Sequence, residues 1–231
     1  MPVRLNLIDT DNFIYLLYSQ VKHMAENTMR KRGRPRDPAV IENITELGGQ
    51  ALLDLGFERA SMEQIAARAG VSKMTLYNYF PNKTALLEHC VRHKTDSHFE
   101  GFDESKYDPA NPAKGLRTLA SQFLRLMRDP EVVRMMGMMH GMAGHHPEVC
   151  QSYFLAGPAL VMHRINSYLE KAKACNSLNI EDTGMAANLF LGMLMGPSHV
   201  IAILGLGIAS AKEDAKLIEE AVDTFLLRFK A

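Results

Sequence analysis

Cysteine is scarce in this 231-residue chain, and familiar catalytic motifs are missing. Its three cysteines form no Cys-x-x-Cys pair, which argues against a disulfide framework or a thiolate zinc site and favours a reducing cytoplasm. It contains no Gly-x-Ser-x-Gly elbow, phosphate loop or paired carboxylate motif, so we expect neither an enzyme nor a cofactor. Alternating Val/Ile/Thr strands are also absent, and apolar residues recur with helical spacing. The sequence therefore predicts an all-α protein.

Net charge is also lacking, because 26 Lys/Arg balance 26 Asp/Glu. The charges are nevertheless unevenly placed. Residues 30–94 contain eleven Lys/Arg and seven Asp/Glu, a local charge of +4, and five of the basic residues lie between Arg30 and Arg36. Nucleic-acid binding depends on where positive charge lies rather than on its total. The N-terminal third is therefore the candidate for contact with DNA.

One apolar stretch, Met185 to Ala209, is long enough to cross a bilayer. Asn188, Pro197 and several glycines interrupt it, and no Lys/Arg flank marks a cytoplasmic end. We expect a buried helix at a subunit interface rather than a membrane span.

Signals for the starts and ends of helices divide the chain into a series of predicted helices. Asp37-Pro38 is a typical helix start, and the first helix is expected to reach Leu55, although Gly48-Gly49 inside it costs roughly 1 kcal/mol per glycine. Residues 101–112 are typical of a linker loop. Further helices are expected near 113–128, 131–144, 147–174, 181–205 and 211–229.

Two short helices with a tight turn are predicted between residues 61 and 80. Ser61-Met62-Glu63-Gln64 is a capping box that starts the first, Gly70 permits the turn, and Ser72 caps the second. The polar side chains of the second helix then lie on the side that faces away from the first. This is the arrangement of a helix-turn-helix, whose second helix enters the major groove of DNA.

The run from Gly70 to Leu87, GVSKMTLYNYFPNKTALL, resembles the pattern Gly-Val-Ser-x-x-x-Leu-Tyr-x-Tyr-Phe-x-x-Lys of TetR-type transcriptional regulators. The resemblance covers roughly residues 37–90. The departures are Gly48-Gly49, where the family usually has helix formers, and the long segment before the basic residues. The resemblance implies a three-helix DNA-binding domain followed by a helical bundle that binds an effector and dimerises.

The resemblance also implies roles for individual residues. Phosphate contacts are expected from Ser61, Tyr77, Tyr79 and Lys83. Contacts near base edges are expected from Lys73, Thr75 and Asn78, with Ser72 on the same DNA-facing side. Lys83 lies in the first turn of a helix, where free N–H groups favour a phosphate, and Asn and Lys carry donors that read base edges. For the aromatic residues of this segment, core packing is the alternative.

The basic arm, residues 30–36, has a Gly-Arg-Pro centre that resembles an AT-hook. Arg32, Arg34 and Arg36 are therefore expected to enter a narrow A·T-rich minor groove, and nonspecific phosphate affinity is the alternative. The expected domains are an N-terminal extension at 1–29, the DNA-binding domain at 30–84 and the effector and dimerisation domain at 85–231. Whether the extension is disordered, or replaced by a translation start at Met29, stays open.

The C-terminal half has no comparable motif, but it is rich in methionine. Ten of the fifteen methionines lie between Met127 and Met195, and such flexible side chains line adaptable apolar pockets as well as ordinary cores. Histidines are plentiful, but without clustered carboxylates or thiolates we expect no metal site. The candidate lining residues of an effector pocket are Phe123, Met127, Met135, Met139, Phe154, Met162, Phe190 and Met193.

The last two predicted helices, 181–205 and 211–229, are apolar enough to pack against a second copy. The expected protein is a cytoplasmic homodimeric repressor that binds palindromic double-stranded operator DNA and is released by a small, largely apolar effector. The alternative is a regulator or interaction protein of the same fold without a ligand switch, acting as an activator or with a partner protein.

Overall fold

A computed structural model describes residues 37–100 and 107–231. Within these ranges every regular element is a helix, which confirms the predicted all-α fold. The first helix, α1, has three consecutive segments, Pro38–Asn43, the π-helical Ile44–Gly48 and Gly49–Leu55. The others are α2 (Met62–Arg68), α3 (Lys73–Tyr79), α4 (Lys83–His98), α5 (Pro112–Arg128), α6 (Pro130–Met142), α7 (Pro147–Ala156), α8 (Pro158–Ala174), α9 (Thr183–Ile203) and α10 (Ala211–Phe229).

The glycine pair of α1 allows close helix packing. A Cβ at Gly48 would lie 3.3 Å from Cγ2 of Ile65 on α2, and a Cβ at Gly49 would lie 3.1 Å from Sγ of Cys90 on α4. Both distances are shorter than ordinary carbon contacts. The glycines therefore lower helix propensity but let α1 approach two neighbouring helices, which explains this departure from the family pattern.

The described residues form two compact units. The first contains residues 37–93 and 138–160 and so holds α1 to α3, most of α4, the end of α6, all of α7 and the first residues of α8. The second contains residues 94–100, 107–137 and 161–231. The expected functional bounds, 30–84 and 85–231, stay a prediction.

The second unit buries a continuous apolar cluster contributed mainly by α5, α8, α9 and α10. Phe190 of α9 and Phe225 of α10 meet edge to face, with 5.2 Å between ring centroids. The fully buried Tyr168 of α8 lies against Gly115 of α5, where an added Cβ would overlap the Tyr168 hydroxyl. Glycine at position 115 is thus required by packing.

A partly buried ion pair joins two helices of the same unit. Arg128, at the end of α5, contacts Asp214 of α10 through Nη2–Oδ1 at 2.9 Å and Nε–Oδ2 at 3.2 Å. Their side chains are only 10% and 15% exposed. Arg128 Nη2 also donates to Ser198 Oγ of α9 at 3.0 Å, so the carboxylate and the hydroxyl together fix the guanidinium.

The single helix expected at 147–174 was wrong, because two helices occupy this range. α7 ends at Ala156, and α8 begins at Pro158. The intervening Gly157 has φ −130° and ψ −77°. Proline lacks an N–H and disfavours helical backbone in the residue before it, so Pro158 ends one helix and starts the next.

The expected helix at 181–205 is present as α9 but is interrupted. Gly196 has φ 48° and ψ −164°, directly before Pro197, a conformation that favours glycine. Among the described residues, α9 alone is long and apolar enough to cross a membrane, and one-third of its most apolar window is buried in the protein. A single helix of this length and composition is weak evidence for a membrane span.

Candidate nucleic-acid interface

The start of α2 is fixed by the predicted capping box. Ser61 Oγ accepts a hydrogen bond from the Gln64 backbone N–H at 3.2 Å, and Gln64 Oε1 accepts from the Ser61 N–H at 2.9 Å. Together they satisfy two otherwise free donors at the helix N-terminus.

The turn between α2 and α3 is a Schellman motif. The Gly70 N–H donates to the Ala67 carbonyl at 3.2 Å, and the Val71 N–H donates to the Ala66 carbonyl at 3.0 Å. Gly70 has φ 65°, the left-handed conformation that this motif places after a helix. Asn43 of α1 donates from Nδ2 to the Ala69 carbonyl. The turn that sets the angle of α3 is therefore held both locally and by α1.

The sequence of α3 separates a buried side from an exposed one. Leu76 is fully buried. Phe80, the C-cap residue of α3, is only 6% exposed, so the core-packing alternative is correct for Phe80. Ser72 Oγ accepts from the Thr75 N–H at 3.0 Å and lies 2.8 Å from Thr75 Oγ1. These two hydroxyls therefore stabilise the first turn of the helix.

The exposed side of α3 carries Lys73, Met74, Tyr77 and Asn78. Lys73 forms an ion pair with Glu63 of α2, and its Nζ lies 5.8 Å from the Tyr77 ring centroid. The hydrogen bond with Glu63 raises the pKa of Lys73, and the same contact lowers the pKa of Glu63. Lys73 therefore lies in a surface ion pair beside an exposed aromatic ring.

Lys83 lies in the first turn of α4, and its ammonium contacts the protein itself. Nζ donates to the backbone carbonyls of Phe57 at 2.6 Å and Glu58 at 3.2 Å, and lies 4.9 Å from the Phe57 ring centroid. Burial lowers the pKa of Lys83. Asn82 caps the helix by accepting from the Ala85 N–H at 2.8 Å. Sequence reasoning missed this internal role, because Phe57 and Lys83 are 26 residues apart.

Tyr79 connects α3 to the start of α1. Its hydroxyl accepts from the Asp37 backbone N–H at 3.1 Å, and Asp37 caps α1 by accepting from the Ala39 N–H at 3.0 Å. Asp37, which directly follows the basic arm in the sequence, therefore lies beside the end of α3. The arm residues Arg32, Arg34 and Arg36 themselves lie outside the described residues.

Met74 is the residue of this surface that sequence reasoning missed. The residue is 75% exposed, compared with 42% for Tyr77. The available signal was its position two residues before the buried Leu76, which places it on the opposite side of the helix.

The described residues contain no group of three or more His, Cys, Asp or Glu side chains suited to a metal ion. His89 and His93 of α4 do stack, with 6.4 Å between ring centroids. The rings face each other one helical turn apart, and His93 also contacts Glu42 at 3.6 Å.

Five of the eight candidate effector residues lie in the apolar cluster of the second unit. Phe123 and Phe190 are buried in it, and Met127, Met162 and Met193 pack against it partly exposed. The other three are Met135, buried in the second unit, and Met139 and Phe154 in the first unit.

Two family models match the chain. Residues 50–90 match "Bacterial regulatory proteins, tetR family", and residues 114–231 match "AefR-like transcriptional repressor, C-terminal domain". The first covers α2, α3 and part of α4, and the second covers most of the second unit.

Curated relatives match over shorter lengths. The chain is 42% identical over 57 residues to the uncharacterized HTH-type regulator YdeS of Bacillus subtilis, which is 25% of this chain and 29% of that protein. It is 37% identical over 78 residues to the HTH-type repressor KstR of Rhodococcus jostii, 32% of this chain and 35% of that protein. The chain thus spans about a third of the length of these relatives.

Solved structures match over most of the chain. The flavonoid-responsive regulator FrrA is 28% identical, with a TM-score of 0.68 over 84% of this chain and 98% of that one. A TetR transcriptional regulator from Agrobacterium tumefaciens is 20% identical, with a TM-score of 0.67 over 85% and 96%, and supports the fold. The second family model alone covers half of the chain. The chain therefore belongs to the tetR family of bacterial regulatory proteins and is a helix-turn-helix transcriptional regulator.

Proposed function

We propose that this protein is a homodimeric repressor that binds a palindromic operator through α3 and is released by a small, largely apolar effector. The observation that carries the proposal is the exposed side of α3. It presents a charged lysine, a phenol and an amide on a short helix whose other side is buried. A helix of this kind enters the major groove when a second helix braces it.

Within this proposal the contacts divide by chemistry. Lys73, Thr75 and Asn78 contact base edges, with Ser72 beside them, and the Tyr77 hydroxyl donates to a phosphate. The hydroxyls of Ser61 and Tyr79 accept backbone N–H groups within the protein, and the resemblance to the family assigns both residues to phosphate contacts. Lys83 uses two of its three N–H donors internally and keeps one for a phosphate. Arg32, Arg34 and Arg36 supply minor-groove contacts.

The test is selection of a binding site from random DNA with the full chain, followed by titration of that site. Specific affinity in the range of about 10⁻⁸ to 10⁻¹¹ M supports the proposal. Tyr77→Ala removes one donor from each half-site and should weaken binding by about tenfold to a hundredfold.

Leu47→Ala serves as the control, because Leu47 of α1 is 39% exposed and does not lie on α3. It should leave binding unchanged. Selection of no site, or equal binding by the Tyr77→Ala variant, would contradict the proposal.

The dimer is proposed to form through α9 and α10, within the expected ranges 181–205 and 211–229. Large apolar side chains are exposed on α9 and on the segment that follows it. They are Met185, Leu189, Val200, Ile201, Leu204, Leu206 and Ile208, with exposed fractions from 44% to 74%. On α10, Leu227 is 90% exposed. An apolar surface of this extent is typical of a protein interface.

Paired substitution of Val200→Asp and Leu204→Asp tests the interface. Sedimentation velocity should show a monomer. Operator affinity should also fall, because a monomer has a single recognition helix and can contact only one half-site. Leu47→Asp places the same charge at another exposed apolar position and should stay dimeric. A double variant that remains dimeric would place the interface elsewhere.

The effector is proposed to bind at the apolar cluster of the second unit. Partly exposed methionines at its edge, Met127, Met162 and Met193, are flexible side chains that adapt to apolar ligands. FrrA is described as flavonoid-responsive, so flavonoids are the first probes we would use. A bound effector raises the melting temperature because it binds only the folded state.

Met162→Ala and Met193→Ala should reduce the thermal shift and the release of DNA that a flavonoid produces. Met138→Ala is the control, since Met138 is a partly buried methionine outside that cluster. An equal response in all three variants would contradict this location. We also propose that the protein acts in the cytoplasm, where operator DNA lies, and regulates transcription without catalysing a reaction.

A further inference from the structure

Met74 is the most exposed large apolar residue of the first unit, with 75% of its surface accessible. It lies in the first turn of α3, and Tyr77 and Asn78 follow it at the i+3 and i+4 positions. These three residues therefore share one face of the helix. Leu76, two positions later, is fully buried, so Met74 lies on the side of α3 that faces away from the protein core.

The polar neighbours of Met74 already interact with the protein. Lys73 is paired with Glu63, and the hydroxyls of Ser72 and Thr75 lie within hydrogen-bond distance of each other. Met74 projects from between these residues as an apolar tip on an otherwise polar turn. Because this turn belongs to the helix proposed to enter the major groove, the exposed apolar side chain of Met74 is placed to contact an apolar group there.

The major groove offers one apolar group, the 5-methyl group of thymine. We propose that Met74 packs against a thymine methyl in each half-site of the operator and makes the protein selective for thymine there. The unbranched thioether suits this role because three rotatable bonds let it follow the methyl group. The inference rests on the proposed binding of operator DNA through α3.

Replacing thymine by uracil tests the contact directly, since uracil differs only by the missing methyl. Burying one methyl group changes binding by about fourfold. Deoxyuridine is placed at each thymine of the selected operator in turn. At one position of a half-site, this replacement should weaken binding by the wild-type protein about fourfold. Substitution in both half-sites should weaken it about 16-fold, because separated positions act nearly independently.

Two variants of Met74 separate this contact from general effects. Met74→Leu keeps an apolar side chain and should keep the uracil penalty. Met74→Gln has a similar length but a polar end, and it should bind the thymine operator more weakly and lose the penalty at that position only. Melting temperatures near that of the wild type confirm that both variants are folded.

A uracil penalty in Met74→Gln equal to that of the wild type would overturn the inference, as would thymine-operator binding as tight as that of the wild type. The second result would assign the exposed side chain to another partner, such as a protein. If the wild type selects no DNA at all, the proposed function fails and this inference fails with it. If the wild type binds its operator but no thymine shows a penalty, only this inference fails.

Discussion

Lys83→Met separates the internal role of this lysine from its expected contact with DNA. The substitution keeps an unbranched apolar chain but removes the ammonium, which donates at 2.6 Å and 3.2 Å to the carbonyls of Phe57 and Glu58 and lies 4.9 Å from the Phe57 ring centroid. Those carbonyls belong to the corner between α1 and α2, and Lys83 belongs to the helix that directly follows α3. The ammonium therefore joins the start of α4 to the corner between α1 and α2, and so stabilises the helix-turn-helix.

The cost follows from the contacts. Hydrogen bonds to a charged group contribute about 1.5 to 3 kcal/mol each when buried. Lys83 is only partly buried, and water can solvate the exposed carbonyls in the variant. We therefore expect the two bonds together to contribute about 1 to 2 kcal/mol to the free energy of unfolding, measured by urea denaturation.

Lys73→Met is the matched control. Lys73 is exposed and paired with Glu63 on the surface, and surface pairs contribute about 0 to 1 kcal/mol. Lys83→Met should also lower the salt dependence of operator binding by about one unit of log–log slope per subunit, since it removes one proposed phosphate contact. Lys73→Met removes a proposed base-edge contact and should relax the preference for the base at that position. Only Lys83→Met should lose stability in addition.

Two results would refute this reasoning. If Lys83→Met is no less stable than Lys73→Met, the carbonyl contacts do not brace the domain. If Lys83→Met is less stable but keeps the wild-type salt slope, its third N–H does not contact a phosphate, and the resemblance has assigned Lys83 the wrong role.

Three further predictions concern the second unit. Gly115→Ala should lower the free energy of unfolding by about 1 to 3 kcal/mol in a urea titration, because the new methyl group overlaps the buried Tyr168 hydroxyl; unchanged stability would contradict that packing. Asp214→Ala should cost about 1 to 3 kcal/mol in the same assay, because it leaves the partly buried Arg128 without its carboxylate although the hydrogen bond to Ser198 remains; a loss below about 0.5 kcal/mol would show that the pair contributes little. The backbone N–H of Ser210, the N-cap of α10, hydrogen-bonds Glu213 and lowers the pKa of its carboxyl group. The stabilising contribution of Glu213 should therefore be complete above the unfolded pKa near 4.5 and disappear as pH falls through the lower folded pKa. Glu213→Gln should remove this part of the pH dependence of the melting temperature, and identical profiles for the variant and the wild type would contradict the prediction.

Local signals predicted the helix-turn-helix well. The capping box at Ser61, the turn at Gly70 and the N-cap at Ser72 each depend on residues within five positions along the chain. Such signals are visible in the sequence because one side chain and its neighbouring backbone decide the geometry. Pro158 was an equally local signal, and overlooking it caused the error at 147–174.

Contacts between distant residues could not be predicted in this way. The Tyr79 hydroxyl meets the Asp37 N–H across 42 residues, and the Lys83 ammonium meets carbonyls 25 and 26 residues away. The fit of Gly49 against Cys90 likewise depends on how two helices pack. Helix propensity alone predicts that Gly48 and Gly49 destabilise α1. Only the packed structure shows that they also allow close contact with the neighbouring helices.

The central claim is that α3 is the helix that contacts operator DNA, and site-specific photo-crosslinking tests it most directly. A photoreactive amino acid is placed at Asn78 of α3 or, as a control, at Leu47 of α1, and the full chain is irradiated with its selected operator. We expect a crosslink to a base from position 78 alone, prevented by excess unlabelled operator but not by scrambled DNA. Equal crosslinking from both positions, or none from position 78 in a protein that binds the operator, would contradict the assignment of α3 to the major groove.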